Sequence, residues 1–143
     1  HVTVAAVLEC EGRFLLVEEE TDEGIRFNQP AGHLECREAL TEAVIREVLE
    51  ETGRTFVPES LVGVYQWRRE AKDITYLRFV FAGRITAHDS ARPLDQGIIA
   101  AHWLTLDEIH ARRAQLRSPM VLRCIQDYCA GRRYPLDVMT SCE

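Results

Sequence analysis

The chain has 143 residues, 46% of them apolar and 28% charged, a balance that suits one compact domain over residues 1–143 and excludes disordered or low-complexity chains. Its formal net charge of −6 argues against a general nucleic-acid binder, because a phosphate backbone needs a basic surface, yet a small phosphorylated ligand stays open because a metal ion turns an acidic pocket into a phosphate site. The five cysteines (Cys10, Cys36, Cys124, Cys129 and Cys142) are odd in number and lack C-x-x-C spacing, so free thiols in a reducing cytoplasm are expected, not a disulfide framework or zinc knuckle.

His1–Leu8 is rich in Val and Ala and reads as a buried strand. Because the chain opens inside that strand, a short native segment is expected ahead of His1. Arg13–Glu18 follows the turn Glu11-Gly12, and the two strands are expected to pair as a hairpin. Thr21–Gly24 is a polar turn, and Ile25–Gln29 a short strand stopped by Pro30. Glu38–Thr52 is the clearest helix: it lacks Gly and Pro and is rich in Ala, Leu and Glu. Thr41, Val44, Ile45, Val48 and Leu49 form its expected apolar side, and Gly53 its stop.

Leu61–Arg69 and Ile74–Ile85 read as strands joined by the turn Glu70–Asp73, and His88–Gln96 as a loop. Ile98–Leu104 is a further strand. Thr105 with Glu108 three residues on makes a capping box. Ser118-Pro119 starts a last helix, which runs to about Cys129 with Gly131 as its stop. No run is apolar enough to span a membrane, and no signal-type segment is read. Without regular βαβ alternation, the expected fold is α+β: an α/β/α sandwich with a mixed β-sheet between helices.

The chemistry concentrates at Gly32–Gly53. Residues three and four apart on a helix are neighbours, so Glu47, Glu50 and Glu51 share one patch and repel one another when unpaired. A hard divalent cation such as Mg²⁺ relieves that repulsion through oxygen ligands. Taken alone, three glutamates more often mean a solvated helix face, with Arg46 and Glu50 as an i,i+4 pair. The wider spacing changes that balance: Gly32, five residues, Glu38, seven residues, then Arg46-Glu47-Val48-Leu49-Glu50-Glu51-Thr52-Gly53.

In this pattern the chain resembles the Nudix hydrolase family at every charged and glycine position of its box. Arg54 departs from it, where an apolar residue is usual. The resemblance implies a phosphoanhydride hydrolase using Mg²⁺ or Mn²⁺. Glu47, Glu50 and Glu51 would ligate the metal, helped by a backbone carbonyl of Ala31 or Gly32. Glu38 and Arg46 would orient loop and helix. Glu47 is a candidate base, as are Asp95 and Asp89, since Gln96 stands where a second acid is common. For both aspartates the alternative is plain surface solvation.

The likeness extends to His1–Ala5, Asn28–Glu35, Gln66-Trp67, Leu116–Pro119 and Arg133–Leu136, which are similar to the NudJ-type phosphatase subgroup. That subgroup implies nucleoside di- and triphosphates or thiamine-type pyrophosphates as substrates, with phosphate released. Strand alternation sets Gln66 and Arg68 on one face and Trp67 and Arg69 on the other. Arg68 and Arg78 are candidate phosphate clamps, Trp67 and Tyr76 candidate stacking partners, and Gln29 and His33 candidate contacts beside the metal loop. Ordinary packing or a solvated strand end is the alternative for each. Two other functions compete: a pyrophosphatase for a nucleoside diphosphate derivative such as a nucleotide sugar, and a non-catalytic sensor module. The expected partner is a small phosphorylated metabolite, with no nucleic acid and no membrane, and the chain is expected as a monomer or homodimer.

Overall fold

A computed structural model describes residues 1–142. Eight strands and three α-helices form in the order β1 (Val2–Val7), β2 (Glu9–Cys10), β3 (Arg13–Thr21), β4 (Gly24–Asn28), β5 (Ala31–His33), α1 (Leu40–Thr52), β6 (Arg54–Arg69), β7 (Ile74–His88), β8 (Ile98–Thr105), α2 (Leu106–Ala111) and α3 (Pro119–Cys129).

One sheet has the order β5-β1-β7-β6; β1 and β7 run parallel and the other pairs antiparallel. The second joins β2, β3 and β4, with β8 on the other edge of β3. The expected mixed sheet is thus the first of these, a second antiparallel sheet accompanies it, and β1 and β3 do not form a hairpin. Glu11 and Gly12 take positive φ, and the turn they make pairs β3 with the short β2 while β1 stays in the other sheet.

Both faces of β1 are buried, which is why Val4 to Leu8 read as a continuous apolar run. Ala5 and Val7 join Met120, Val121, Cys124 and Ile125 of α3 in one core cluster. Val4 and Ala6 join Ala43, Val44 and Val48 of α1 in the other. Sheets thus lie between helices, as the alternation of a doubly buried strand requires.

β6 and α1 differ from expectation. β6 starts at Arg54, directly after Gly53 and well ahead of the expected start at Leu61. Register shifts at Thr55/Phe56, Pro58/Ser60 and Leu61/Gly63 absorb the proline, since a bulge tolerates a missing N–H. Gly83 faces that irregularity, where a Cβ would lie 2.0 Å from the Val57 carbonyl oxygen. The buried stripe of α1 is also rotated: Ala43, Val44, Glu47, Val48 and Glu51 are buried, while Ile45 is exposed. Burying two carboxylates needs a compensating structure, and the site supplies it.

Candidate active site

Arg46 organises the helix α1 carboxylates. Its Nε and Nη2 donate to the two oxygens of Glu38 at 2.9 and 2.7 Å, and Nη2 also donates to the His33 carbonyl at 3.0 Å. Nη1 donates to Glu47 at 2.7 Å and Glu50 at 3.3 Å. Such a bidentate fork fixes a plane, which a lysine cannot do. Glu38 lies ahead of the helix, not within it, and accepts the Glu35 N–H at 2.9 Å, closing the loop between β5 and α1. Arg37 holds the tight turn of that loop with φ 66°.

β5 is an edge strand, where a loop is expected around Gly32. Val4 pairs with Gly32 across β1 and Ala5 with Ala31. Leu34 N–H bonds the Val2 carbonyl at 3.0 Å, so the ladder's alternation turns the Gly32 amide and carbonyl toward Val4 and those of Ala31 outward. The Ala31 N–H accordingly donates to Glu51 at 2.9 Å. Of the two carbonyls considered for a metal, it is that of Ala31 that faces the helix. Gly32 matters through its missing side chain: a Cβ there would sit 2.1 Å from Glu47 Cδ.

A third carboxylate reaches the cluster from the loop after β7. Asp95 N–H bonds the Glu50 carbonyl at 2.9 Å, and carboxylate oxygens of Glu47, Glu50 and Asp95 lie within 4.8 Å of one another. Glu51 is buried behind them, on Ala31. Asp89 is elsewhere: its amide bonds the Gly53 carbonyl at 2.8 Å and its carboxylate accepts the Ala91 N–H at 3.1 Å. It shapes the turn past the end of α1, because a short carboxylate satisfies a nearby amide. Burial pushes the Glu47 carboxyl up to about 7 against the pull of Arg46, and burial pushes Glu51 up to about 9 despite the Ala31 amide. The donor set is all oxygen and holds more negative charge than Arg46 alone balances, which suits a hard divalent cation.

Beside β5 lies a cavity of about 160 Å³. Ala31, Gly32 and His33 form its near side and connect it to the carboxylates. Trp67 stacks on Tyr76, centroids 5.7 Å apart at 16°, to make one wall. Arg78 lies in the floor; its Nη1 donates to Asn28 Oδ1 at 3.4 Å and Gln29 Oε1 at 3.3 Å. Gln29 is itself 1% exposed and supports Arg78 from beneath. Arg68 is not part of this site. It points to the opposite face, pairs with Asp73 at 2.9 Å and is exposed, while its neighbour Arg69 lines the cavity and pairs with Glu23.

Sequence reasoning did not assign Thr3, Glu19, Arg69, Arg117, Ser118 or Met120 to the cavity, which they line. They come from distant segments: Arg117 N–H bonds the Phe27 carbonyl at 2.7 Å, which brings the start of α3 against β4. His1–Ala5 and Leu116–Pro119, which hold Thr3, Arg117 and Ser118, stand in the family likeness, and that is their signal in the sequence.

Arg54, the departure from the box, lays its guanidinium 5.6 Å from the Trp103 ring centroid and donates to the Thr52 carbonyl at 3.0 Å. An arginine stem and an aromatic face replace the usual apolar contact.

A NUDIX domain model matches residues 1–124. The chain belongs to the Nudix hydrolase family. Phosphatase NudJ of Escherichia coli (strain K12) is 42% identical over 139 residues, covering 97% of this chain and 90% of that protein. Phosphatase NudJ of Shigella boydii serotype 4 (strain Sb227) gives the same figures. Among solved structures, a NUDIX hydrolase from Nitrosomonas europaea superposes with a TM-score of 0.96 at 51% identity, over 99% of this chain and 96% of that one. The chain is thus a Nudix hydrolase enzyme with a mixed-sheet Nudix fold. Nudix hydrolases act on small phosphorylated substrates and generally use divalent metals, and the acidic cluster is in place. Among the described residues no helix is long and apolar enough to cross a membrane.

Proposed function

We propose that the chain is a Mg²⁺-dependent phosphohydrolase that acts on nucleoside di- or triphosphates or thiamine-type pyrophosphates and releases inorganic phosphate. The carrying observation is the convergence of Glu47, Glu50 and Asp95 beside an arginine- and aromatic-lined cavity. The likeness to the NudJ phosphatases supports the product.

Glu47, Glu50 and Asp95 would hold Mg²⁺, with Glu51 and the Ala31 carbonyl completing the oxygen set. When bound, the ion neutralises phosphate oxygens and acidifies water. Glu38 and Arg46 keep the carboxylates aimed. Glu47 is the first candidate base, because it sits in the carboxylate cluster that would hold the attacking water. Asp95 is the second candidate. His33, exposed at the cavity mouth, lies where phosphate would pass between the two halves of the site. Trp67 and Tyr76 offer a flat face to the group beyond the phosphates. Five free thiols support a cytoplasmic setting, and residues 1–143 are read as one domain.

The test is a panel of phosphorylated metabolites with Mg²⁺ and identified products. Inorganic phosphate is the expected product. Nucleoside monophosphate from nucleotide sugars would overturn this reading in favour of a pyrophosphatase, and binding without turnover would favour a sensor.

A further inference from the structure

Two turns, one from each sheet, meet beside the cavity. The β3–β4 turn Thr21–Gly24 is closed on itself: Thr21 Oγ1 donates to the Gly24 carbonyl at 2.6 Å and accepts the Glu23 N–H at 3.1 Å. So is the β6–β7 turn, where the Asp73 N–H bonds the Glu70 carbonyl at 3.1 Å and Arg68 pairs with the Asp73 carboxylate at 2.9 Å. Two ion pairs run between the turns, Glu23 to Arg69 and Asp22 to Lys72. Lys72 is the only lysine in the sequence. Among the described residues no other hydrogen bond or ion pair joins Asp22 or Glu23 to anything beyond their own hairpin. Ile25 beside them is 46% exposed, so apolar burial adds little to the tie.

The inner pair, Glu23 and Arg69, stands on a boundary. The cavity of about 160 Å³ and a neighbouring recess of about 620 Å³ share Trp67, Arg69, Arg117 and Ser118 in their linings. Glu23 lines the recess only, and the Arg69 side chain that it holds is 13% exposed. Exposed ion pairs are weak and are screened by salt. Asp22, Glu23 and Lys72 are all exposed, so the turns can part while both sheets stay paired. Resting on the phosphohydrolase reading above, we propose that Asp22, Glu23, Arg69 and Lys72 form a salt-sensitive clasp that gates the cavity by size. Closed, the clasp confines the group beyond the phosphates to the cavity. Parted, it frees Arg69, joins the cavity to the recess and admits a bulkier group.

A water-soluble carbodiimide joins a carboxylate to an amine only where the two touch, and so reads the clasp itself. Peptide mapping should find an amide between Asp22 and Lys72. Its yield should fall as NaCl rises from about 0.01 to about 1 M, over which the screening length shrinks from roughly 30 to roughly 3 Å. No such amide, or a yield indifferent to salt, overturns the clasp. Gating is read by calorimetry with Mg²⁺ and two non-hydrolysable ligands, methyl methylenebisphosphonate and adenosine methylenebisphosphonate, whose affinity ratio cancels the phosphates they share. Asp22→Asn with Glu23→Gln should move that ratio at least about threefold toward the adenosine compound, the scale of one or two exposed ion pairs. Asp22→Lys should do the same, and adding Lys72→Asp should bring the wild-type ratio back. If a variant does not melt cooperatively, wild type across the same salt range decides: a ratio moving toward the adenosine compound supports the gate, and a flat one overturns it. Unchanged ratios in the variants overturn the gate and leave the hydrolase reading intact. Binding of neither compound to any of these chains sinks the hydrolase reading and the gate with it.

Discussion

Gly32 and Arg46 show how single residues decide the carboxylate geometry. A methyl group at Gly32 would meet the Glu47 carboxyl at 2.1 Å, and the obstacle is the far end of a flexible side chain. Gly32→Ala should therefore fold with a near-native melting temperature yet weaken metal binding and turnover at least about tenfold, as seen by metal titration of activity. Arg46→Lys removes the planar fork to Glu38 and should cost about 10- to 100-fold in metal affinity. Burial raises Glu47 to about 7 and Glu51 to about 9 in the metal-free protein. Both then hold protons in the folded state that the unfolded chain releases near an ordinary carboxylate value of 4.5. Stability from these groups is present below that value and is lost as pH rises through about 7 and then 9. In chelator, the melting temperature should fall from pH 6 to pH 9. Mg²⁺ should restore it more at pH 9, with proton release on binding. A melting temperature independent of pH and metal would contradict this. At this scale the box residues were legible because their spacing is fixed by helix and loop geometry. Asp95 as a member of the cluster was not, since only the fold brings its loop to Glu50.

The elements carry these residues through local rules that read well at their ends and less well at their faces. The capping box at α2 formed as its sequence implies, with Glu108 N–H to Thr105 Oγ1 at 3.2 Å and Thr105 N–H to Glu108 at 3.0 Å. Ser118 Oγ accepts the Met120 N–H at 3.2 Å at the start of α3. Thr105→Ala should lower unfolding free energy by about 1 kcal/mol in denaturant titration without changing KM, since Thr105 lies outside the cavity lining. The face of α1 departs from its apolar pattern, which places Ile45 inside and Glu47 and Glu51 outside. Their hydrogen bonds to Arg46 and the Ala31 amide reverse that preference. The same blindness applies to β6, whose first half contains Pro58; the bulges that accommodate it are properties of the pair β6 and β7, not of either sequence.

For the whole molecule, the sandwich puts α1 and α3 on opposite faces of β1 and leaves the short edge strand β5 between carboxylates and cavity. Strand alternation alone separated Trp67 and Arg69 from Arg68, and the fold kept that division. It could not join Glu19, Arg117 and Ser118 to Thr3, because these residues from separate segments meet only in the folded cavity lining. The single most direct measurement is phosphate release from a diphosphate substrate, titrated with Mg²⁺, for wild type beside Glu50→Gln. Saturable Mg²⁺ dependence in wild type and a loss of at least about a hundredfold in the variant, at unchanged melting temperature, is the expected result. Hydrolysis that ignores Mg²⁺, or that survives Glu50→Gln intact, would contradict the assignment of the cluster as the catalytic metal site.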